Sequence, residues 1–160
     1  MTARALLSLC VAMIAFASTT VASAGAPQIT DIDVPLHSLG PDPFLSAECG
    51  FDINVSNEGR IRVIQYSDGT RQSHHHETFY WTANGVSLVE HVNFTIAAGE
   101  DDVTFRGAVF NLHVPGAGVG MVEAGNVVFG PNGITHIAGL HQVLNETVNV
   151  EALCDYLAGD

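Results

Sequence analysis

From residue 51 onward, apolar and polar positions alternate in short runs rich in Val, Ile, Phe and Thr, and turn signals break the runs at regular spacing. Those signals are Asn57-Glu58-Gly59, Asp68-Gly69, Asn84-Gly85, Gly99 to Asp102, Pro115 to Gly118 and Gly130 to Gly133. Period-two alternation bounded by such turns predicts strands, here over roughly 51–56, 60–67, 70–83, 86–97, 103–114, 118–129 and 133–142. Every connection suits a hairpin and is too short for a parallel crossover. The expected fold is an all-β antiparallel meander. It is expected to close into a β-barrel of seven or eight strands, because closure hides both sheet edges; a two-sheet β-sandwich is the alternative.

The flanks follow other patterns. Residues 25–48 carry Pro27, Pro35, Pro41 and Pro43, which predicts an extended arm with at most one edge strand, near Ile29 to Val34, and no helix. This arm would supply the eighth strand to a single domain spanning 49–160. At the other end Val150, Leu153, Cys154 and Leu157 recur at helical spacing, with Asn149 as a start cap and Gly159 as a stop. A short C-terminal helix is expected there. Residues 1–24 read as a secretory signal peptide: Arg4, an apolar run from Ala5 to Ala17, then Ala22-Ser23-Ala24 before the cut. The run is shorter than the about 20 residues a membrane span needs.

Removal of the leader sharpens the charge. The 160-residue chain has formal charge −12; without Arg4, four arginines and no lysine face all 17 acidic residues, leaving −13. Such a surface repels phosphate backbones and anionic headgroups, so neither nucleic acid nor a membrane surface is an expected partner. Cys10 leaves with the leader, and the remaining pair in an exported chain, Cys49 and Cys154, is expected to form a disulfide. Two free thiols or metal ligands are the alternative, and neither cysteine has a second at metal-site spacing.

Three stretches carry a resemblance: Cys49-Gly50-Phe51-Asp52, Val114-Pro115-Gly116 with Val127-Val128-Phe129, and His141-Gln142-Val143-Leu144 followed by Leu153-Cys154. Together they resemble an uncharacterised family of small secreted actinobacterial proteins. The resemblance implies export and a β-rich fold, and supplies no activity and no site residue.

The densest chemistry lies between Arg71 and Ala97. A two-residue turn at Asn84-Gly85 would set Trp81 opposite Leu88, Phe79 opposite Glu90, Thr78 opposite His91, His76 opposite Asn93 and His74 opposite Thr95. Alternation then puts His74, His76 and His91 on one polar face with Tyr80, and Trp81 on the other. Three imidazoles suffice to hold Zn or Cu with a position left open, and His74-x-His76 resembles part of a cupin metal site. The Glu that pattern expects is absent, since Glu77 is too close and Glu90 too far. A two-residue turn at Asp68-Gly69 disputes the orientation. It sets Val63 opposite His74 and Ile61 opposite His76, and gathers Arg62, His75, Arg60 and Glu77 on the other face. Either a bulge switches the alternation between His74 and Thr78, or both faces are partly buried.

Two later turns set His113 opposite Gly120 and His141 opposite Val122, on one face with Asn111 and Ala124. No Gly-x-Ser-x-Gly, phosphate-loop, dinucleotide or His-Glu-x-x-His signature occurs. The leading expectation is therefore a secreted barrel that binds a small molecule or a protein partner rather than an enzyme, with Tyr80, Trp81, His113 and His141 at the ligand. A metal protein using His74, His76 and His91, and a structural module of the cell envelope, are the other readings.

Overall fold

A computed structural model describes residues 25–159; the expected leader, 1–24, lies outside the described residues. The elements are β1 (Gln28–Pro41), α1 (Pro43–Cys49), β2 (Asn54–Gln65), β3 (Arg71–Ala83), β4 (Val86–Ala98), β5 (Val103–Val114), β6 (Gly118–Gly130), β7 (Gly133–His141) and α2 (Val150–Ala158). All strands belong to one antiparallel sheet whose order is the chain order, β1 to β7. The meander is as expected, but the sheet is open: β1 and β7 are its two edges, and among the described residues no ladder joins them into a barrel. Nor does the sheet divide into a sandwich. The β1 edge is blunted instead of paired. Arg60 and Arg62 pair with Asp33 and Asp31 at 3.1 and 2.8 Å along β1, and bulges interrupt β1 at Val34/His37 and Ser38/Gly40.

The N-terminal half departs from expectation twice. The Asn57-Glu58-Gly59 signal is no turn, because β2 runs straight through it. Gly59, at φ 156°, is there for close approach: a Cβ would lie 2.3 Å from the His76 carbonyl oxygen. The proline-rich arm holds a full strand and then a helix. Pro43 occupies the first helical turn, where no N–H is needed, and the Asp42 carboxylate accepts the Phe44 and Leu45 N–H groups at 3.0 and 2.7 Å.

Hairpin chemistry explains the remaining registers. Asn84-Gly85 gives every β3–β4 pair expected of it. Asp68-Gly69 does not, because the loop has three residues, with Tyr66 and Thr70 closing it and Gly69 at φ 88°. Ile61 therefore faces His75 and Arg62 faces His74. That one-residue shift moves each β2 side chain to the other face of the pairing, and removes the conflict without a bulge in β3.

Both helices cover one end of one face, here called inner. Leu45, Ile53, Val55, Trp81, Leu88, Leu112, Val114, Met121, Leu153 and Leu157 form the core beneath them. Gly120 makes room for α2, since a Cβ there would meet Leu153 Cδ2 at 2.7 Å. Asn149 caps α2 through the Ala152 N–H, and Gly159 ends it at φ 85°. The Cys49–Cys154 disulfide ties α1 to α2 with Cα atoms 5.1 Å apart. No helix of the described residues is long and apolar enough to cross a membrane.

Candidate functional site

The strand registers stack inner-face residues into rows that cross the sheet. One row runs Ile32, Ile61, His75, Phe94, Gly107, Gly125 and Gly139 from β1 to β7. The next row away from the helices is Thr30, Val63, Ser73, Ile96, Phe105, Val127 and Ile137, and beyond it lie Arg71, Val103, Phe129 and Ile134. This half of the inner face is apolar, yet the helices pack at the other end. Ile32, Ile134 and Ile137 stay 43%, 46% and 45% exposed, and Phe94, Ile96, Phe105 and Phe129 are half-buried. Among the described arginines, Arg60, Arg62 and Arg106 register with the outer face and Arg71 alone with the inner.

A polar chain crosses between the apolar half and the core. Ser73, His75 and Glu77 alternate along β3 and so share the inner face. Ser73 Oγ lies 2.9 Å from His75 Nε2, His75 Nδ1 2.7 Å from Glu77 Oε1, and the Asn57 amide donates to Glu77 Oε2 at 2.6 Å. His75 and Glu77 are buried. Phe94 stacks flat on His75, ring centroids 4.5 Å apart and planes 7° from parallel, which fixes the imidazole plane. With Glu77 ionised and the ring neutral, Glu77 Oε1 accepts from His75 Nδ1–H. That tautomer leaves Nε2 as the acceptor for the Ser73 hydroxyl.

Two further buried carboxylates lie on the inner face, on β4 and β6. Glu90 accepts from the Trp81 indole N–H at 3.1 Å and from the backbone N–H of Asn111, which lies past the end of the β4–β5 ladder at Asn93 and Ala108. Burial pushes its carboxyl up to about 7, against the downward pull of those two donors, the Asn111 N–H more than the indole. Glu123 bonds His141 Nδ1 through one oxygen and accepts the Val143 and Leu144 N–H groups, at 3.1 and 3.4 Å, through the other. His141 Nε2 lies 3.1 Å from the Ala138 carbonyl oxygen. Every buried carboxylate of the inner face thus has polar partners, as burial requires.

The histidines chosen from sequence lie on the other side. His74, His76 and His91 register with the outer face together with Tyr80. His74 bonds Thr95 and His91 bonds Thr78, each at 3.0 Å, and His76 is exposed. Among the described residues no three His, Cys, Asp or Glu side chains are grouped to hold a metal. Tyr80 donates to Glu58 at 2.6 Å on the outer face, and His113 bonds Asn111 at 3.0 Å and is exposed. Trp81 and His141 are buried on the inner face, so the four expected ligand residues do not converge. His141 faces Glu123 rather than Val122, because the β6–β7 register slips between Val128 and Phe129. A bulge likewise sets His113 opposite Val119, not Gly120. The Ser73-x-His75-x-Glu77 alternation was present in the sequence as a signal, but the mistaken Asp68-Gly69 register grouped His75 and Glu77 with Arg60 and Arg62.

Comparison of the chain with protein-family models, characterised proteins and solved structures finds no match.

Proposed function

We propose that the protein is an exported carrier that holds an apolar small molecule bearing an oxygen-acceptor head, a carboxylate or an ester, on the uncovered half of its inner face. The observation that carries this reading is the half-buried apolar area around Ile96, Phe105 and Phe129, at the end of the inner face away from the two helices and bounded by Arg71 and Ser73. Burying such side chains under a ligand gains about 25 cal/mol per Å² of apolar area, and a lone guanidinium beside them complements an acceptor oxygen. The leader-like residues 1–24 and the disulfide support export. Titration with a fluorescent long-chain carboxylate and with its methyl ester tests the reading. Saturable 1:1 binding of both is expected, weakened roughly tenfold or more by Phe105→Ala, the loss of about 1.4 kcal/mol or more. Arg71→Ala is expected to weaken the acid and spare the ester. Absence of saturable binding by wild-type protein contradicts it.

A further inference from the structure

The geometry points to a catalytic role for Ser73: we propose that it is a nucleophile, activated by His75 and oriented through Glu77, that cleaves esters of apolar acyl chains. The relay stands on its own geometry; only the position of the acyl chain rests on the carrier reading above. Its connectivity is that of a nucleophile, a base and an orienting acid: hydroxyl to Nε2 at 2.9 Å, Nδ1 to carboxylate at 2.7 Å, and an amide at 2.6 Å holding the carboxylate's second oxygen. A buried histidine needs partners for both nitrogens, and at His141 these are the Glu123 carboxylate and the Ala138 carbonyl, neither of which offers a nucleophile. Here the Nε2 partner is instead a half-buried serine at the margin of the uncovered apolar face.

In the first step Ser73 Oγ bonds to the acyl carbonyl carbon while its proton passes to His75 Nε2. The ester C–O bond then breaks, and the leaving alkoxide takes that proton to depart as the alcohol. Water attacks the acyl-serine, gives its proton to His75, and the acyl–Oγ bond breaks as Ser73 recovers the proton. The products are one carboxylic acid and one alcohol per ester and water consumed. Arg71 lies two residues away on the same face, about 7 Å along the strand, where its long side chain can oppose charge developing on the carbonyl oxygen. The acyl chain lies over Ile96 and Phe105, the next two residues of Ser73's row.

The test treats the purified chain with a fluorophosphonate probe and locates the adduct by peptide mass spectrometry, alongside p-nitrophenyl butyrate hydrolysis. One adduct is expected, on Ser73. Ser73→Ala leaves His75 Nε2 without its partner, so it should stay folded with a lowered melting temperature and lose both labelling and hydrolysis. Glu77→Gln should slow labelling roughly 10²-fold or more while Ser73 remains the labelled residue. Folded wild-type protein without an adduct on Ser73, or hydrolysis unchanged in Ser73→Ala, overturns the proposal. Carboxylate binding without labelling sinks the catalysis alone, and labelling without carboxylate binding sinks the carrier reading alone.

Discussion

Glu90 sits in the core with its carboxylate against the chain's single tryptophan. Burial raises its folded pKa from the ordinary 4.5 to about 7, so the folded state holds the proton more tightly than the unfolded chain does. The stabilisation from that proton is complete below pH 4.5 and is lost as pH rises through 7. A shift of this size corresponds to about 3 kcal/mol between the two limits. Urea midpoints of the wild type should therefore fall between pH 5 and 8 relative to those of Glu90→Gln, and Trp81 fluorescence should titrate near pH 7 in the wild type only. Parallel pH profiles for the two proteins would show that Glu90 does not carry the effect. At this scale the sequence was informative about residue type and poor about direction. Cys49 and Cys154 were legible as a pair because no other cysteine occurs in residues 25–160. Ser73, His75 and Glu77 were not legible as a unit, because a side chain's face depends on the register of neighbouring strands.

Elements were legible where local chemistry alone decides them. Asn84-Gly85 admits one tight turn, Asn84 adopting φ 51° and Gly85 φ 81°, and so fixes thirteen β3–β4 pairs. Asn149 and Gly159 likewise bracket α2. Signals with two physical meanings misled. Asp68-Gly69 closes a two-residue or a three-residue loop with equal ease, and a proline is helix-compatible at the first turn and nowhere later. Gly59 imitated a turn residue, but its role is contact between β2 and β3. Gly59→Ala should consequently cost about 2–4 kcal/mol, because the new Cβ meets the His76 carbonyl oxygen and the Glu77 Cα with no flexible side chain to yield. Chemical denaturation checks this, and a loss below about 0.5 kcal/mol would mean that the strands part without cost.

For the whole molecule, the antiparallel meander order followed from turn spacing, whereas closure did not, and the seven strands include the arm strand in place of the two expected on either side of Asn57 to Gly59. Whether β1 meets β7 depends on accumulated twist and on bulges such as those at Ala108/Phe110 and Val128/Phe129, and no single stretch of sequence encodes it. The open sheet separates two chemistries that sequence reasoning had merged. The outer face carries His74, His76 and His91, with threonine hydroxyls bonded to His74 and His91, and the inner face carries the Ser73–His75–Glu77 relay beside half-buried apolar residues. The carrier reading depends on that division. Its most direct test is a ¹⁵N-resolved NMR titration of the protein with dodecanoate. Saturable amide shifts centred on Ser73, Ile96, Phe105 and Val127 are predicted, with α2 and the outer-face amides of His76 and His91 unmoved; shifts centred on His76 and His91, or none that saturate, would contradict the account.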